Sequence, residues 1–526
     1  MTARRYYSIF NDVLGPVMTG PSSSHSAGCN RIGRTAAGLF GRPVTRADIV
    51  FDQSGSYPST FVGQGSNYGF VSGLMGWQGN DSRTKDAIRL AKEDGRDFRF
   101  SKEDLGAHHP NEAEIRIYNE KGQTELSLLT YSVGGGMFEI RKMNGFEVLI
   151  DGNSRQLFVE GNGEKALQEV LSILPDPGPA GLQRIQGQWM LKYRLFAEAA
   201  GPCFRTAAGI SGVKSVRTAE PVMPVIGREH KAMPFYNAKE ALEYAADTQR
   251  PLWQAALDYE CAYGFVNEAD VISIASGILQ AMRASMTPPD PEDTAVYGIL
   301  PYQGRKMLEH QRSREQVPAG ALEAAMMAAV AVMENNSAHN IVVAAPTAGS
   351  SGVIPAALIS IGEQMGKSEE EVLHALLTAG LIGVFIANQA TFGAEVAACQ
   401  AENGSASCMA AGGAAALIGC DARECFAAAS MAMQNMLGLI CDPVAGLAEV
   451  PCITRNVAAL SNAVMSANMA ALGFDAVIPL DEAIQSMMRV GTQLPAALRC
   501  TCEGGICDTD TARCLSAEME KTRPVL

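Results

Sequence analysis

Two stretches, AGALEAAMMAAVAVME at 319–334 and the segment 369–388 running through VLHALLTAGLIGVFIAN, decide what the second half of the chain is. Both are rich in alanine and apolar on nearly every face. A helix without a polar face must be enclosed by other helices, so these segments predict the interior of a bundle. Upstream, Leu252 to Met286 has helical spacing and is broken by the proline-rich MTPPDPEDT at 286–294. The region from about 44 to 160 reads differently. ADIVFDQSG, EIRIYNE, ELSLLTYSVGGG and FEVLIDG carry β-branched or alternating apolar residues bounded by Gly, Asn and Asp, a pattern of strands. EKALQEVLSIL, from Glu164 to Leu174, returns to a period near 3.6 and ends at PDPGPAG, which cannot continue a helix. The expected fold is an α/β N-terminal domain over 1–180, a connecting region over 181–240, and a mostly α-helical domain over 241–526. No repeat of 20–50 residues is present.

Composition narrows the function. The 526 residues are 47% apolar and 19% charged, with only 6% aromatic, so the core is built from Ala, Val, Leu, Ile and Met. The formal net charge is −14, and no stretch concentrates Lys and Arg over several turns. That argues against a nucleic-acid or anionic-membrane partner and for a small-molecule substrate. The N-terminal MTARRYYSIFNDVLGP is interrupted by Asn11, Asp12 and Gly15 before a signal-like apolar core develops. No uncharged apolar run reaches the roughly 20 residues of a membrane helix. A cytoplasmic location is expected.

Thirteen cysteines, an odd number, argue against a disulfide framework and for thiols that are buried, reactive or metal-bound. Three stand in distinctive surroundings: Cys399 in CQAENGSASCMAA, Cys441 in GLICDP and Cys452 in VPCITRN. They are 42 and 11 residues apart, without the close pairs of a zinc ribbon. Two readings stand for them: buried apolar residues, or ligands of an iron–sulfur cluster. Cys441 before Asp-Pro and Cys452 after Pro lie where helices must break, and backbone amides are free there to bond a cluster's sulfides. Three thiolates would leave one iron open to act as a Lewis acid.

GPSSSH at 20–25, SVGGGMFEI at 132–140, AAPTAGSSGVIPAAL at 344–358, CQAENGSA at 399–406 and NMLGLICDPVAGLAEVPCITRN at 435–456 together resemble the iron–sulfur-dependent L-serine dehydratases (L-serine ammonia-lyases). The order is that of the family's β-type part followed by its α-type part. The resemblance implies an oxygen-sensitive [4Fe-4S] cluster on Cys399, Cys441 and Cys452, no pyridoxal phosphate, and loss of water and ammonia from serine or a closely related small β-hydroxy amino acid. A homodimer is expected. The resemblance also implies that Ser22, Ser23, Ser24 and His25 line the active site, with His25 and Ser24 as catalytic candidates. Thr347, Gly349, Ser350 and Ser351 would present hydroxyls and N–H groups as a carboxylate cradle. Cys408, Cys420 and Cys425 are expected in the core.

The chain departs from the family in three places. SGSYPSTFVGQGSNYG at 54–69 aligns with a segment usually written around Gly-His-Gly-Thr-Asp, so Gln64 and Asn67 replace a titrating pair at the substrate. The loop GILPYQGRKM at 298–307 is only partly recognisable. The tail CTCEGGICDTDTARC carries Cys500, Cys502, Cys507 and Cys514 and runs to RPVL; some relatives cap the open iron with a terminal cysteine, which is not expected here unless one of these four folds back. Of the remaining histidines, His339 is the second candidate for a titrating group, and His108, His109, His230, His310 and His374 read as structural. Gln64 and Asn67 keep open a same-cluster lyase acting on another hydroxy or thiol acid, and the cysteine-rich tail keeps open a non-catalytic sensor of iron or oxygen.

Overall fold

A computed structural model describes residues 4–106, 108–178, 180–195, 206–228, 232–290, 298–311 and 313–521. The strands appear where alternation predicts them. In β4 (Glu112–Tyr118), Ala113, Ile115 and Ile117 are fully buried on one face. Its other face carries Arg116 between Glu103 and Glu114, so period-2 patterning decides which side meets the core. With β2 (Arg46–Asp52), β3 (Asp97–Glu103), β5 (Thr124–Gly134), β6 (Met137–Met143) and β7 (Phe146–Ile150) it forms a six-stranded sheet of order β3-β2-β4-β5-β6-β7. Only the β2–β3 pair is parallel.

The helices Gly28–Phe40 and Ser66–Leu74 pack beside this sheet. They touch through glycine: a Cβ on Gly33 would lie 2.7 Å from Phe70 O, and one on Gly73 would lie 2.2 Å from Asn30 O. No larger residue permits that approach.

A second sheet, order β11-β8-β10-β9, is built from β8 (Arg155–Asn162), β9 (Leu182–Ile185), β10 (Gln188–Leu195) and β11 (Val213–Ala219). All its pairs are antiparallel. The helix Glu164–Ile173 covers it around a small core of its own that includes Leu157, Leu167, Val170, Trp189 and Leu191. This sheet runs across residue 180, where the linker PDPGPAG suggests a boundary. The strands β9, β10 and β11 therefore lie within the expected connecting region, and β10 and β11 pair with β8 on the other side of that linker.

The helical half is as the apolar stretches predict. The helices Ala321–Ser337 and Glu369–Gln389 lie in one large core with Ser405–Leu417, Ala422–Asn435 and Cys452–Ala471. Ser368 and Asp421 start two of these helices with reciprocal capping boxes to Glu371 and Glu424. The segment Leu252 to Met286 is two helices, Leu252–Tyr263 and Glu268–Ser285, separated at Gly264 and restarted by a capping box on Asn267. Glu369–Gln389 is long and apolar enough to span a membrane, but most of it is buried among the other helices.

Residues 9–14 are physically part of this half. Ile9, Phe10, Val13 and Leu14 are fully buried in the helical core. A Cβ on Gly380 would lie 2.7 Å from Ile9, and one on Gly383 would lie 2.2 Å from Val13. Buried Glu260 receives Ile9 N at 2.9 Å and the Ser8 hydroxyl. The two-stranded pair β1 (Val17–Thr19) and β12 (Ile341–Val343) then stitches the start of the chain to the helical half. This brings GPSSSH beside APTAGSSG. The whole is an α/β half followed by a mostly helical half, as expected.

Candidate functional site

Each half contributes the start of a helix to the candidate site, and in each the first turn is a wide π turn. On the α/β side, Ser22 Oγ accepts from His25 N at 3.3 Å and caps the turn Ser23–Ala27, which leads into Gly28–Phe40. The His25 ring is held at both nitrogens. Nδ1 lies 2.9 Å from Ser24 Oγ and 3.3 Å from Ser22 Oγ, and Nε2 lies 2.9 Å from Thr60 Oγ1. Tyr57 meets it edge-on at 5.3 Å. Ser132, from SVGGG, donates to Ser24 O at 2.6 Å, and fixes the loop from the sheet side. Burial pushes the His25 pKa down to about 3, so near neutral pH the ring is a neutral hydrogen-bonding group.

The second loop faces the first. Ala348 N donates to Ser23 Oγ at 3.4 Å. Thr347 and Ser350 bond one another at 3.1 Å, and Ser350 also donates back to Thr347 O. Ser351 turns to Met333 Sδ at 3.5 Å. Asn456 clamps the loop from both sides, donating to Gly349 O at 2.8 Å and accepting from Gly352 N at 3.0 Å. Gly349 lies against Glu402: a Cβ there would lie 3.1 Å from Glu402 Oε1.

The thiols come from three breaks between helices. Cys399 precedes the π turn Gln400–Gly404 that opens Ser405–Leu417. Cys452 is the first residue of Cys452–Ala471. Cys441 lies in an extended stretch whose N–H donates to Leu498 O and whose carbonyl accepts from Cys500 N, both at 2.9 Å. The ligand atoms of Cys399, Glu402 and Cys441 all lie within 4.8 Å of one another. Cys452 stands outside that tight trio, yet close enough for the charges of Cys399 and Glu402 to raise its pKa beyond the effect of burial. The Cys441 thiol is pushed up by bonding to Cys399 and Cys500 and by burial.

Charged groups frame the thiols. Arg455 Nη1 lies 3.7 Å from Cys399 Sγ and donates to Ile440 O at 3.0 Å, while Nη2 pairs with buried Asp442 at 2.7 Å. Burial raises Glu402 to about 7; the Thr347 hydroxyl opposes that rise and the charge of Glu395 adds to it. Burial raises Glu395 as well. Glu395 lies against the end of β5, with its Oε1 3.9 Å from where a Cβ of Gly134 would be.

The structure thus links the loop of Ser22, Ser23, Ser24 and His25 to the loop of Thr347 and Gly349, that loop to Glu402, and Glu402 to Cys399 and Cys441 with Cys452 beside them. Ser350 and Ser351 spend their hydroxyls within their own loop and on Met333. Gln64 Nε2 reaches across to Gly446 O at 3.2 Å, which ties the two halves together. Asn67 accepts from Tyr68 N at 2.8 Å and serves its own turn. His339 is buried 5.1 Å from the Tyr68 ring, and its pKa is pushed down to about 4. His374 stacks on Trp253 at 3.7 Å and His109 on Tyr131 at 5.5 Å. His230 lies outside the described residues. Cys408 and Cys425 are buried in the helical core, as expected, and Cys420 is packed against it.

Sequence reasoning missed Glu402, Glu395, Arg455, Asn456 and the position of Cys500. For Glu402 a signal existed: three residues after Cys399 at the start of a helix, it falls on the same face. The donor set suits a thiolate-bound cluster. Several buried thiols pressing on one another disfavour their own thiolates unless a cation accompanies them, and soft thiolate donors select iron–sulfur or similar centres.

The chain thus has a two-part build, an α/β half joined to a thiol-bearing helical half. The family model described as the serine dehydratase alpha chain matches residues 197–507, and the chain belongs to that family. The probable L-serine dehydratase alpha chain of Bacillus subtilis is 35% identical over 287 residues, 55% of this chain and 94% of that protein. The probable beta chain of the same organism is 44% identical over 158 residues, 30% of this chain and 70% of that protein. L-serine dehydratase 1 of Escherichia coli is 34% identical over 281 residues, 52% of this chain and 61% of that protein.

Proposed function

We propose that the protein is a [4Fe-4S]-dependent L-serine dehydratase, a lyase converting L-serine or a closely related β-hydroxy amino acid to a 2-oxo acid and ammonia. The observation that carries this reading is the convergence of Cys399 and Cys441 with Glu402, beside Cys452, where the two halves meet. Cys399, Cys441 and Cys452 would hold the cluster. When bound, it supplies a Lewis acid that makes the substrate's β-hydroxyl a better leaving group.

The rest falls to the chain. The Gly349 N–H of the Thr347–Gly349 turn would receive the substrate carboxylate, the Thr347 hydroxyl holds Glu402, and Asn456 keeps that turn in place. Ser22, Ser24 and neutral His25 form a hydrogen-bonding wall opposite. An imidazole with a pKa of about 3 holds an abstracted proton poorly, and Gln64 cannot hold one at all. Glu402, facing both thiols and Gly349, is the group placed to accept the α-proton. Loss of water yields an enamine, whose imine tautomer hydrolyses to the 2-oxo acid. Activation of the leaving group in this way calls for no pyridoxal phosphate.

Gln64 and Asn67 favour a second reading, the same elimination on another hydroxy or thiol acid. Anaerobic reconstitution with iron and sulfide, followed by 2-oxo acid assays over a panel of such acids, tests both. Turnover of L-serine above the others supports the first reading. A better substrate elsewhere in the panel supports the second. A bound cluster without turnover of any of them points to the sensor instead.

A further inference from the structure

The segment 498–508 closes over the thiol site. It is anchored by Cys441 N to Leu498 O, by Cys500 N to Cys441 O, and by Ile506 N to Asp442 Oδ2 at 2.7 Å. Within it, two more thiols converge on one acceptor. Cys502 Sγ donates to Pro443 O at 3.4 Å, and Cys507 Sγ donates to the same oxygen at 3.1 Å. Sharing one acceptor sets the two sulfurs side by side, close enough for Cys502 to push the Cys507 thiol pKa up. The chain folds back between them because Cys502 takes a left-handed backbone, φ 58°, and Gly505 another, φ 71°. Cys502 is exposed, whereas Cys507 is buried. Asp442 receives Ile506 N and also pairs with Arg455, so the thiol pair sits one ion pair away from Cys399.

We infer that Cys502 and Cys507 are a reactive dithiol that closes to an intrachain disulfide, a modification site separate from the thiols assigned to the cluster. The oxidant is a small disulfide such as glutathione disulfide. The exposed Cys502 sulfur, as thiolate, attacks one glutathione sulfur, breaks its S–S bond and releases one glutathione thiolate. Cys507, losing its proton to solvent, then attacks the Cys502 sulfur of the mixed disulfide and releases the second glutathione. Two protein thiols lose two electrons, and one glutathione disulfide gains them. Closure removes both S–H donors from Pro443 O and locks the fold-back that keeps Cys500 against Cys441, so the redox state of this pair sets how firmly the segment covers the site.

The test uses the full-length chain, purified without oxygen and incubated with glutathione disulfide, then denatured and alkylated. Cleavage after Arg499 and Arg513 releases a peptide holding Cys500, Cys502 and Cys507 together. The inference expects that peptide to be two hydrogens lighter, with a single alkyl group, on Cys500. Cleavage after Glu503 should leave its two pieces joined, while exposed Cys514 carries a glutathione adduct that is not resolved. Cys502→Ser should leave Cys507 fully alkylated, and Cys507→Ser should trap glutathione on Cys502. Three alkyl groups on the wild-type peptide, a lasting adduct at Cys502, or a link through Cys500 would overturn it. None of these readouts depends on iron, so the outcome is independent of the proposed elimination.

Discussion

The two helix starts that bring the candidate residues in from either half are built alike and differ in chemistry, the first lined by neutral groups and the second by thiols and a titrating carboxyl. Both open with a π turn, Ser23–Ala27 in the α/β half and Gln400–Gly404 in the helical half. At the first, hydroxyls and an imidazole satisfy one another: Ser22 caps the turn, Ser24 and Thr60 hold the ring, and Ser132 closes the loop from the sheet. At the second, Cys399, Glu402 and Cys441 crowd within 4.8 Å; burial and the charge of Glu395 push Glu402 up, and bonding to Cys399 and Cys500 together with burial pushes Cys441 up. The first is complete as it stands and serves as a wall. In the proposed function the second, with the cluster bound, is the reactive side.

Breaking the crowded side should have the largest effect. Cys399→Ala is expected to lose bound iron and to bring 2-oxo acid formation down to background, measured by iron content and by turnover after anaerobic reconstitution. Retained activity would detach the thiols from catalysis. Next, Glu402→Gln keeps the shape and removes the proton acceptor. Turnover should fall by roughly 10²–10⁴, the usual contribution of a positioned base, with iron content unchanged. Arg455→Gln removes the donor beside Cys399 and the partner of Asp442. A loss of about 10–100-fold in iron retention or activity is expected, as for other groups that orient metal ligands.

The satisfied side should answer in stability. The His25 pKa is about 3 in the folded chain against 6.5 unfolded, so between those values the unfolded state binds more protons. Stability therefore rises with pH across that window and falls as pH drops below about 6.5, by about 1.4 kcal/mol per pH unit for this one group. Asp12, raised by burial to about 6, tilts the opposite way between 3.8 and 6. The clean readout is thus the difference between wild type and His25→Gln in urea midpoint: wild type should lose ground on the variant steadily from pH 6 to pH 4. Smallest is Ser22→Ala, which removes a cap and should cost about 1 kcal/mol.

How much of this the sequence carried depended on the kind of signal. Apolar period gave the bundle helices to within a few residues, because a helix with no polar face has one place to go. Alternation gave β4 and β5 for the same reason. The residues at 181–240 were harder, since the linker PDPGPAG interrupts a sheet whose strands pair across it. Residues 9–14 were invisible as part of the helical core, because what recruits them is the absence of side chains at Gly380 and Gly383, hundreds of residues away. At the site, motifs pointed to the two hydroxyl loops and the three thiols, whereas Glu395, Arg455 and Cys500 act through neighbours distant in sequence. The His25 pKa could not be read from GPSSSH, because it is set by the packing around the ring.

The most direct test is spectroscopic. Anaerobically reconstituted protein enriched in ⁵⁷Fe, examined by Mössbauer spectroscopy with and without L-serine, should contain four irons per chain. One of the four should shift when the amino acid is added. Protein that takes up no iron, or a spectrum that no small hydroxy acid perturbs, would contradict the account.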